Sequence, residues 1–461
     1  MKCKMMAVLL CAVLLFAGCA DAGQDTASVS PTVVAAEEDS PQAPEAVPTP
    51  TVAPKVLSGM VTASDENGIS LQNEDGQKID FVCGEAALDI IALGSTAEVT
   101  YTQDGDKYKV QSVSAKTPPP NPPFNLYEAR AKEILAEMTL EEKVGQMFFA
   151  RCPAEDADEV ADKYQPGGYV LFDRDFKDET KDEVKDSIAQ YQQASKIGML
   201  IGVDEEGGTV KRVSKYKALC DEPFLSPQAL YEKGGIELIV SDTKKKADVL
   251  KDLGINVNLA PVCDVSTDPE NFIYKRAFGK EAEETAKYVS AVVTQMNESG
   301  IGCTLKHFPG YGSNVDTHTG IADDKRSYDS FVANDFIPFS AGIAANAGSV
   351  LVCHNIVESI DGDYPASLSA KAHDVLRNTL GFSGVIMTDD LYMEAIRDEY
   401  GVGQAAVMAV QAGNDLLLSS QFEDQYAAVL AAAQDGTLSE DTVNGAVTRV
   451  LCWKLTLGIA K

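Results

Sequence analysis

The chain has 461 residues, 45% hydrophobic and 24% charged, enough apolar material for a large core and too much for global disorder. Against 39 Lys and Arg stand 70 Asp and Glu, a formal net charge of −31. This balance excludes a protein held to nucleic acid by phosphate contacts, which needs basic surface to release counterions.

Lys2 and Lys4 precede an apolar run from Met5 to Ala17. The run is too short to span a bilayer but has the basic start and apolar middle of a secretory signal, so residues 1–18 are predicted to be an export address. It ends in Phe16-Ala17-Gly18-Cys19, which resembles a bacterial lipobox with Phe16 where Leu is commoner. That likeness implies acylation of Cys19 and a lipid anchor on the outer face of the membrane. An ordinary signal with an incidental Cys19 is the alternative. No later stretch reads as transmembrane.

Residues 19–54 carry six prolines among Ala, Thr, Val, Asp and Glu and are expected to be a disordered tether. Residues 55–116 change character. Short alternating runs are punctuated by Asn67-Gly68, Asp75-Gly76 and Asp104-Gly105, which are hairpin signals. They predict a small all-β module with no recognisable chemistry, either a spacer or a weak binding element. Residues 117–123 form a proline-rich linker. After Cys19 come seven cysteines, an odd number without any C-x-x-C spacing. Mostly free thiols and no zinc site are expected, with Cys263, Cys303 and Cys353 as small core residues.

From Phe124 the pattern becomes periodic. Thr139-Leu140-Glu141-Glu142 is a capping box. Apolar runs of strand length follow at 145–151, 168–172, 199–204, 257–265, 303–308, 349–354, 385–388 and 415–418, separated by segments such as 281–297 and 371–380 that read as helices. Eight strands alternating with helices predict an α/β fold, a (β/α)8 TIM-type barrel over 124–461, in preference to an open doubly wound sheet.

In such a barrel chemistry sits at the C-terminal ends of the strands. After the third run stand Asp204, Glu205, Glu206, Gly207 and Gly208, with Arg212 beyond. After the fourth comes Asp264; after the fifth Lys306, His307, Asp316 and His318; after the sixth His354 and Asn355; after the seventh Asp389 and Asp390. An acidic rim of this kind suits carbohydrate chemistry, since carboxylates act as nucleophile or acid and bind hydroxyls. Each signal has a blander reading. Asp-Asp is a common helix N-cap. Gly207-Gly208 lacks a Walker continuation. Asp-x-His is only half a metal site. His373 falls in a helical stretch away from the rim and reads as structural.

Taken in order, MTLEEKVGQM (138–147), VDEEGGTVKR (203–212), NLAPVCDV (258–265), RAFGKE (276–281), KHFPGYGSNVDTH (306–318), PASLS (365–369) and GFSGVIMTDDL (381–391) resemble glycoside hydrolase family 3. The likeness is to its β-N-acetylhexosaminidase branch and covers 124–461. It implies an exo-acting, retaining β-N-acetylglucosaminidase that removes terminal N-acetylhexosamine from glycans or cell-wall fragments. Asp389 would be the nucleophile. His318, oriented by Asp316, would be the acid/base on a loop made mobile by Gly310, Gly312 and Ser313. Asp204, Arg212, Arg276, Lys306 and His307 would bind the sugar.

Many family members take their acid from a glutamate on a second, C-terminal domain; none is expected here. No cofactor and no metal is implied. Departures from the branch pattern are Tyr311 in place of a second His, Glu205 in place of Gln and Thr209 in place of Arg, and they bear on leaving-group preference. A β-glucosidase or β-xylosidase of the same family and a non-catalytic glycan-binding lipoprotein are the competing readings. Phosphorolysis and the oligomeric state stay open.

Overall fold

The computed structural model describes residues 54–65, 68–73, 77–82, 96–104, 107–117, 124–314 and 322–460. The signal and Cys19, nearly all of the tether, Cys83, residues 118–123, Asp316 and His318 lie outside the described residues.

The amino-terminal module has five antiparallel strands: β1 (Lys55–Asp65), β2 (Gly68–Gln72), β3 (Lys78–Val82), β4 (Thr96–Asp104) and β5 (Lys107–Thr117). Each expected hairpin forms. Asp65 pairs with Gly68, Gln72 with Lys78 and Asp104 with Lys107. Alternation then sends Val61, Ile69, Leu71, Phe81, Ala97 and Val99 to one buried face. The rings of Phe81, Tyr101 and Tyr108 meet pairwise at 5.0–5.3 Å over that core. The strand order is β3-β2-β1-β4-β5, and β3 also comes against β5. This is the circular order of a five-stranded OB-type barrel. One boundary moves: Thr117, expected to open the linker, is the last residue of β5 and pairs with Thr96.

Ten more strands follow: β6 (Phe148–Arg151), β7 (Gly168–Leu171), β8 (Leu200–Val203), β9 (Val257–Asn258), β10 (Gly302–Phe308), β11 (Asp323–Asp324), β12 (Ser349–Val352), β13 (Ile356–Val357), β14 (Val385–Thr388) and β15 (Leu417–Ser419). Eight of them form one parallel sheet in the order β14-β12-β10-β9-β8-β7-β6-β15. A bridge from Met387 to Leu416 joins its two ends, so the sheet closes into the expected barrel. Every residue of β7, β8, β10, β12, β14 and β15 is buried, as a parallel sheet jacketed by helices requires. β11 and β13 make a separate two-residue ladder.

Only the expected run at 385–388 coincides residue for residue with its strand, and three of the differences have a definite physical cause. Gly145 and Gln146 belong to a helix, Leu140–Gln146, begun by the Thr139–Glu142 capping box, so β6 starts at Phe148. The Val257–Val265 run pairs regularly only at Val257 and Asn258; it rejoins the sheet where the Cys263 amide donates to the Lys306 carbonyl at 2.6 Å. Asp415 precedes β15 and is a latch: it accepts from Arg377 at 2.6 Å, Arg449 at 2.8 Å and the Ile386 amide at 2.9 Å.

The last described helix, Glu440–Thr456, packs on the helix Phe124–Ala136 and brings Trp453 against Gly302 and Gly348 at the starts of β10 and β12. Its Trp453 is buried so closely that a Cβ on Gly348 would sit 2.3 Å from the indole nitrogen. Next to it, fully buried Lys454 donates to Gln146 Oε1 at 2.6 Å and to the Gly198 carbonyl at 2.7 Å. The six described cysteines are buried and unpaired, as anticipated for most of them.

Candidate active site

The C-terminal strand ends of the barrel enclose a pocket of about 320 Å³. All five predicted sugar-binding residues line it, Asp204, Arg212, Arg276, Lys306 and His307, and so does Asp389. Residues spread over 186 positions of sequence thus meet at the ends of four strands, Asp204 and Arg212 after β8, Arg276 beyond β9, Lys306 and His307 late in β10 and Asp389 after β14.

Charge pairing organises the floor. Lys306, on β10, is 2% exposed and places its ammonium 2.7 Å from both Asp204 and Glu206. Arg276 grips Glu206 with two bonds, 2.7 and 3.0 Å. Burial opposes ionisation of Glu206, but the Lys306 and Arg276 cations outweigh it and hold the carboxyl well below the usual range. Burial likewise works against charge on Lys306, and Asp204 and Glu206 reverse it, raising its affinity for protons.

His307 is fixed from two sides. Its Nδ1 lies 2.7 Å from Asp264 Oδ2, and Arg276 reaches its Nε2 at 3.0 Å. A guanidinium can only donate, so Nε2 accepts and the partners assign the neutral tautomer with the proton on Nδ1. The other Asp264 oxygen accepts from the Tyr311 amide at 2.7 Å. Asp264 thereby ties the start of the loop after β10 to the imidazole.

The acidic trio after β8 divides its work. Asp204 lines the pocket and Glu206 braces the two cations. Glu205 is fully buried and turns away, accepting from the Arg212 amide at 2.9 Å, the Val213 amide at 2.7 Å and the Ser214 hydroxyl. Its carboxylate therefore shapes the turn that returns Arg212 to the rim, where Arg212 stands 3.9 Å from Asp204. Gly207 and Gly208 supply the positive φ of that turn, 95° and 64°, and a Cβ on Gly207 would fall 2.2 Å from the Leu225 carbonyl. The glycine pair is a turn element, not a phosphate cradle.

Asp389 and Asp390 both line the pocket but have different partners. The Asp390 carboxylate accepts from the Ser420 hydroxyl and amide and from the Tyr392 amide at 3.0 Å. Burial raises its pKa. Asp389 comes directly off β14, its amide bonded to the Val352 carbonyl at 3.0 Å. His354 is bonded to Ser367 at 2.7 Å and to the Asp390 carbonyl at 3.1 Å, supporting the turn from behind. His373 is buried on its helix with Nδ1 2.8 Å from the Ser369 carbonyl, away from the pocket.

Asp316 and His318 fall in 315–321, outside the described residues, but both flanks of that segment are described. Arg326 holds them together. It donates to the Gly310 carbonyl at 3.0 Å, to Asp324 at 2.7 Å and to Asp335 at 2.8 Å, while Asn314 donates to Asp324 at 2.6 Å. Gly310, expected to lend the loop mobility, also permits close approach, since a Cβ there would lie 2.3 Å from Asp335 Oδ1.

Sequence reasoning put Glu206 and Asp264 at the rim without giving either a role, and passed over Arg151. Arg151, the last residue of β6, lines the pocket 4.8 Å from the Phe172 ring. The signal for Glu206 was its spacing two residues beyond Asp204 at a strand end; nothing local singled out Arg151.

Residues 139–452 match the Glycosyl hydrolase family 3 N terminal domain. A β-hexosaminidase of Xanthomonas campestris is 33% identical over 287 residues, 61% of this chain and 85% of that protein. The structure of a family 3 β-N-acetylglucosaminidase from a Paenibacillus species aligns with a TM-score of 0.65 and 31% identity over 70% of this chain; the match spans 63% of that enzyme, less than two thirds of its length. A β-N-acetylhexosaminidase from Beutenbergia cavernae aligns with a TM-score of 0.61 at 28% identity, over 68% of this chain and 98% of that one. With its barrel, its rim pocket and these relatives in agreement, the chain belongs to glycosyl hydrolase family 3, in the branch of these β-hexosaminidases, and is a glycoside hydrolase.

Proposed function

We propose that this protein is an exo-acting, retaining β-N-acetylglucosaminidase. The observation that carries the reading is the pocket: about 320 Å³, the size of a small-ligand site, with Asp204, Arg212, Arg276, Lys306 and His307 lining it around Asp389. The named activities of the relatives supply the N-acetylhexosamine.

Asp389 attacks the anomeric carbon from below while the glycosidic bond breaks, giving a glycosyl-enzyme ester. His318 gives its proton to the departing oxygen. It then takes a proton from the water that attacks the ester, and the net anomeric configuration is retained. Asp316 orients the imidazole and favours its cation. Asp204 and Lys306 bond ring hydroxyls, and Arg276 and His307 bond hydroxyls or the N-acetyl group.

Assay of 4-nitrophenyl β-glycosides of N-acetylglucosamine, glucose and xylose tests the substrate, with NMR of the first-formed anomer for the stereochemistry. Preference for N-acetylglucosamine with a β product is expected. Preference for glucose or xylose, or an α product, overturns the reading. Export and lipid anchoring through Cys19 complete it. A fatty-acid analogue should label the wild-type protein and spare Cys19→Ala, and equal labelling of both rejects the anchor.

A further inference from the structure

Around the closed barrel the strands run β14, β12, β10, β9, β8, β7, β6, β15 and back to β14. Asp389 stands after β14 and Asp204 after β8, half the circuit apart. His307, on β10, and Arg151, at the end of β6, are likewise half the circuit apart. All four line the rim pocket, so it has two crossed axes, one from Asp389 to Asp204 and one from His307 to Arg151.

Arg151 differs from the other cations of the pocket. Lys306 and Arg276 each hold a carboxylate at 2.7 Å, and Arg212 stands 3.9 Å from Asp204. Arg151 makes no salt bridge among the described residues, and its Nε is buried without a hydrogen-bond partner. The Phe172 ring lies 4.8 Å from its guanidinium carbon. Asp175, whose ionisation Arg151 favours, is bonded instead to the Phe172 amide at 2.7 Å and to Arg174 at 3.3 Å. A guanidinium with unused donors at a pocket wall favours a ligand that brings an anionic acceptor.

There is space for one. Arg151 and Ser420 also line an adjoining cavity of about 630 Å³. Arg174, in that cavity, already donates to the Cys152 carbonyl and pairs with Asp175. Glu155, Asp156, Glu423 and Asp424 line it too. They repel an acidic chain running through the cavity, so the favoured anion is a compact group held at Arg151 itself.

The sugar's own geometry says which of its atoms faces Arg151. C1 and C4 lie opposite each other in a pyranose. With C1 over Asp389, C4 points toward Asp204, and the two flanks of the ring face His307 and Arg151. On the function proposed above, Arg276 and His307 take the flank of C2 and C3, with the N-acetyl group. The flank left for Arg151 is that of C5 and its exocyclic C6. We infer that Arg151 is a specificity residue for an anionic ester, sulfate or phosphate, on C6 of the terminal N-acetylglucosamine. This inference rests on the functional reading and deepens it: the substrate class becomes acidic, 6-esterified glycans.

The test measures kcat/KM for 4-nitrophenyl β-N-acetylglucosaminide, its 6-sulfate and its 6-phosphate, on the wild type, Arg151→Met and Arg151→Lys. The three substrates share one leaving group, so the ester-to-parent ratio isolates the contact at C6. In Arg151→Met that ratio should fall roughly ten- to a hundredfold for at least one ester, the scale of a hydrogen bond to a charged group, and Arg151→Lys should restore most of it. The ester with the larger fall names the group. In the wild type, N-acetylglucosamine 6-sulfate or 6-phosphate should also inhibit at lower concentration than N-acetylglucosamine, a comparison that needs no variant. Ratios unchanged in Arg151→Met for both esters, or weaker inhibition by both, overturn the inference and leave the functional reading standing. A wild-type enzyme that cleaves none of the three substrates but cleaves the glucoside or xyloside overturns the functional reading, and this inference with it.

Discussion

Lys306 and Glu206 face each other at 2.7 Å under the pocket, both buried to within a few per cent, and each is shared with a further partner. Lys306 also bonds Asp204, and Glu206 also bonds Arg276. Two cations that are proposed to touch the sugar are thus held by one carboxylate that is not. Glu206→Gln keeps the shape and removes the charge. Breaking a buried pair in this way typically costs about 3–5 kcal/mol. A urea-unfolding midpoint well below wild type is expected, together with a raised KM from misplaced Lys306 and Arg276. A variant with wild-type stability and KM would show that the pair has no such role.

Asp389 and Asp390 are adjacent, but the Asp390 carboxylate is engaged by Ser420 and Tyr392. Asp389→Asn should lose roughly a thousandfold or more in kcat, as expected when a covalent catalyst is removed. Asp390→Asn should lose much less. A fluorinated mechanism-based inhibitor should be found by mass spectrometry on Asp389, and labelling of Asp390 would reassign the nucleophile.

His318→Ala should separate the two chemical steps. An aryl leaving group departs with little protonation, so formation of the glycosyl-enzyme should suffer far less than it does for a disaccharide. Deglycosylation would lack its base, and azide should partly restore turnover. Imidazole titrates near about pH 6.5, so wild-type kcat should change around neutrality and the variant should lose that dependence. Disaccharide cleavage by the variant at near the wild-type rate would exclude His318 as the acid.

Lys454 offers a test remote from the chemistry. Burial lowers its pKa to about 7 from the ordinary 10.5, and its two hydrogen-bond partners are uncharged oxygens. Between these values the unfolded chain holds a proton that the folded chain has released, so stability rises with pH across that window. Below pH 7 both states are protonated and the cost of the buried cation is present in full. Lys454→Met should therefore compare best with wild type near pH 6 and lose about 2–4 kcal/mol of that relative advantage by pH 10. A stability difference independent of pH would show that Lys454 is charged throughout.

Much of this molecule was legible in one dimension because its signals are local. Turn dipeptides set the three hairpins of the amino-terminal module, and alternation set which face is buried. Apolar runs of strand length gave the eight barrel strands in number and order. Rim residues stand at the end of a strand or directly after it, so Asp204, Lys306, His307 and Asp389 could be nominated without coordinates. Tertiary structure decided what depends on partners distant along the chain. Glu205, Glu206 and Asp390 look like catalytic carboxylates in sequence. Only the closed barrel shows that Glu205 binds loop amides, that Glu206 lies between Lys306 and Arg276 from two other strand ends, and that Asp390 is taken by Ser420. The placing of Arg151 across the barrel from His307 is of the same kind. A side chain's identity sets what it can bond, but which oxygen or ring it meets depends on the rotation and closure of the whole barrel.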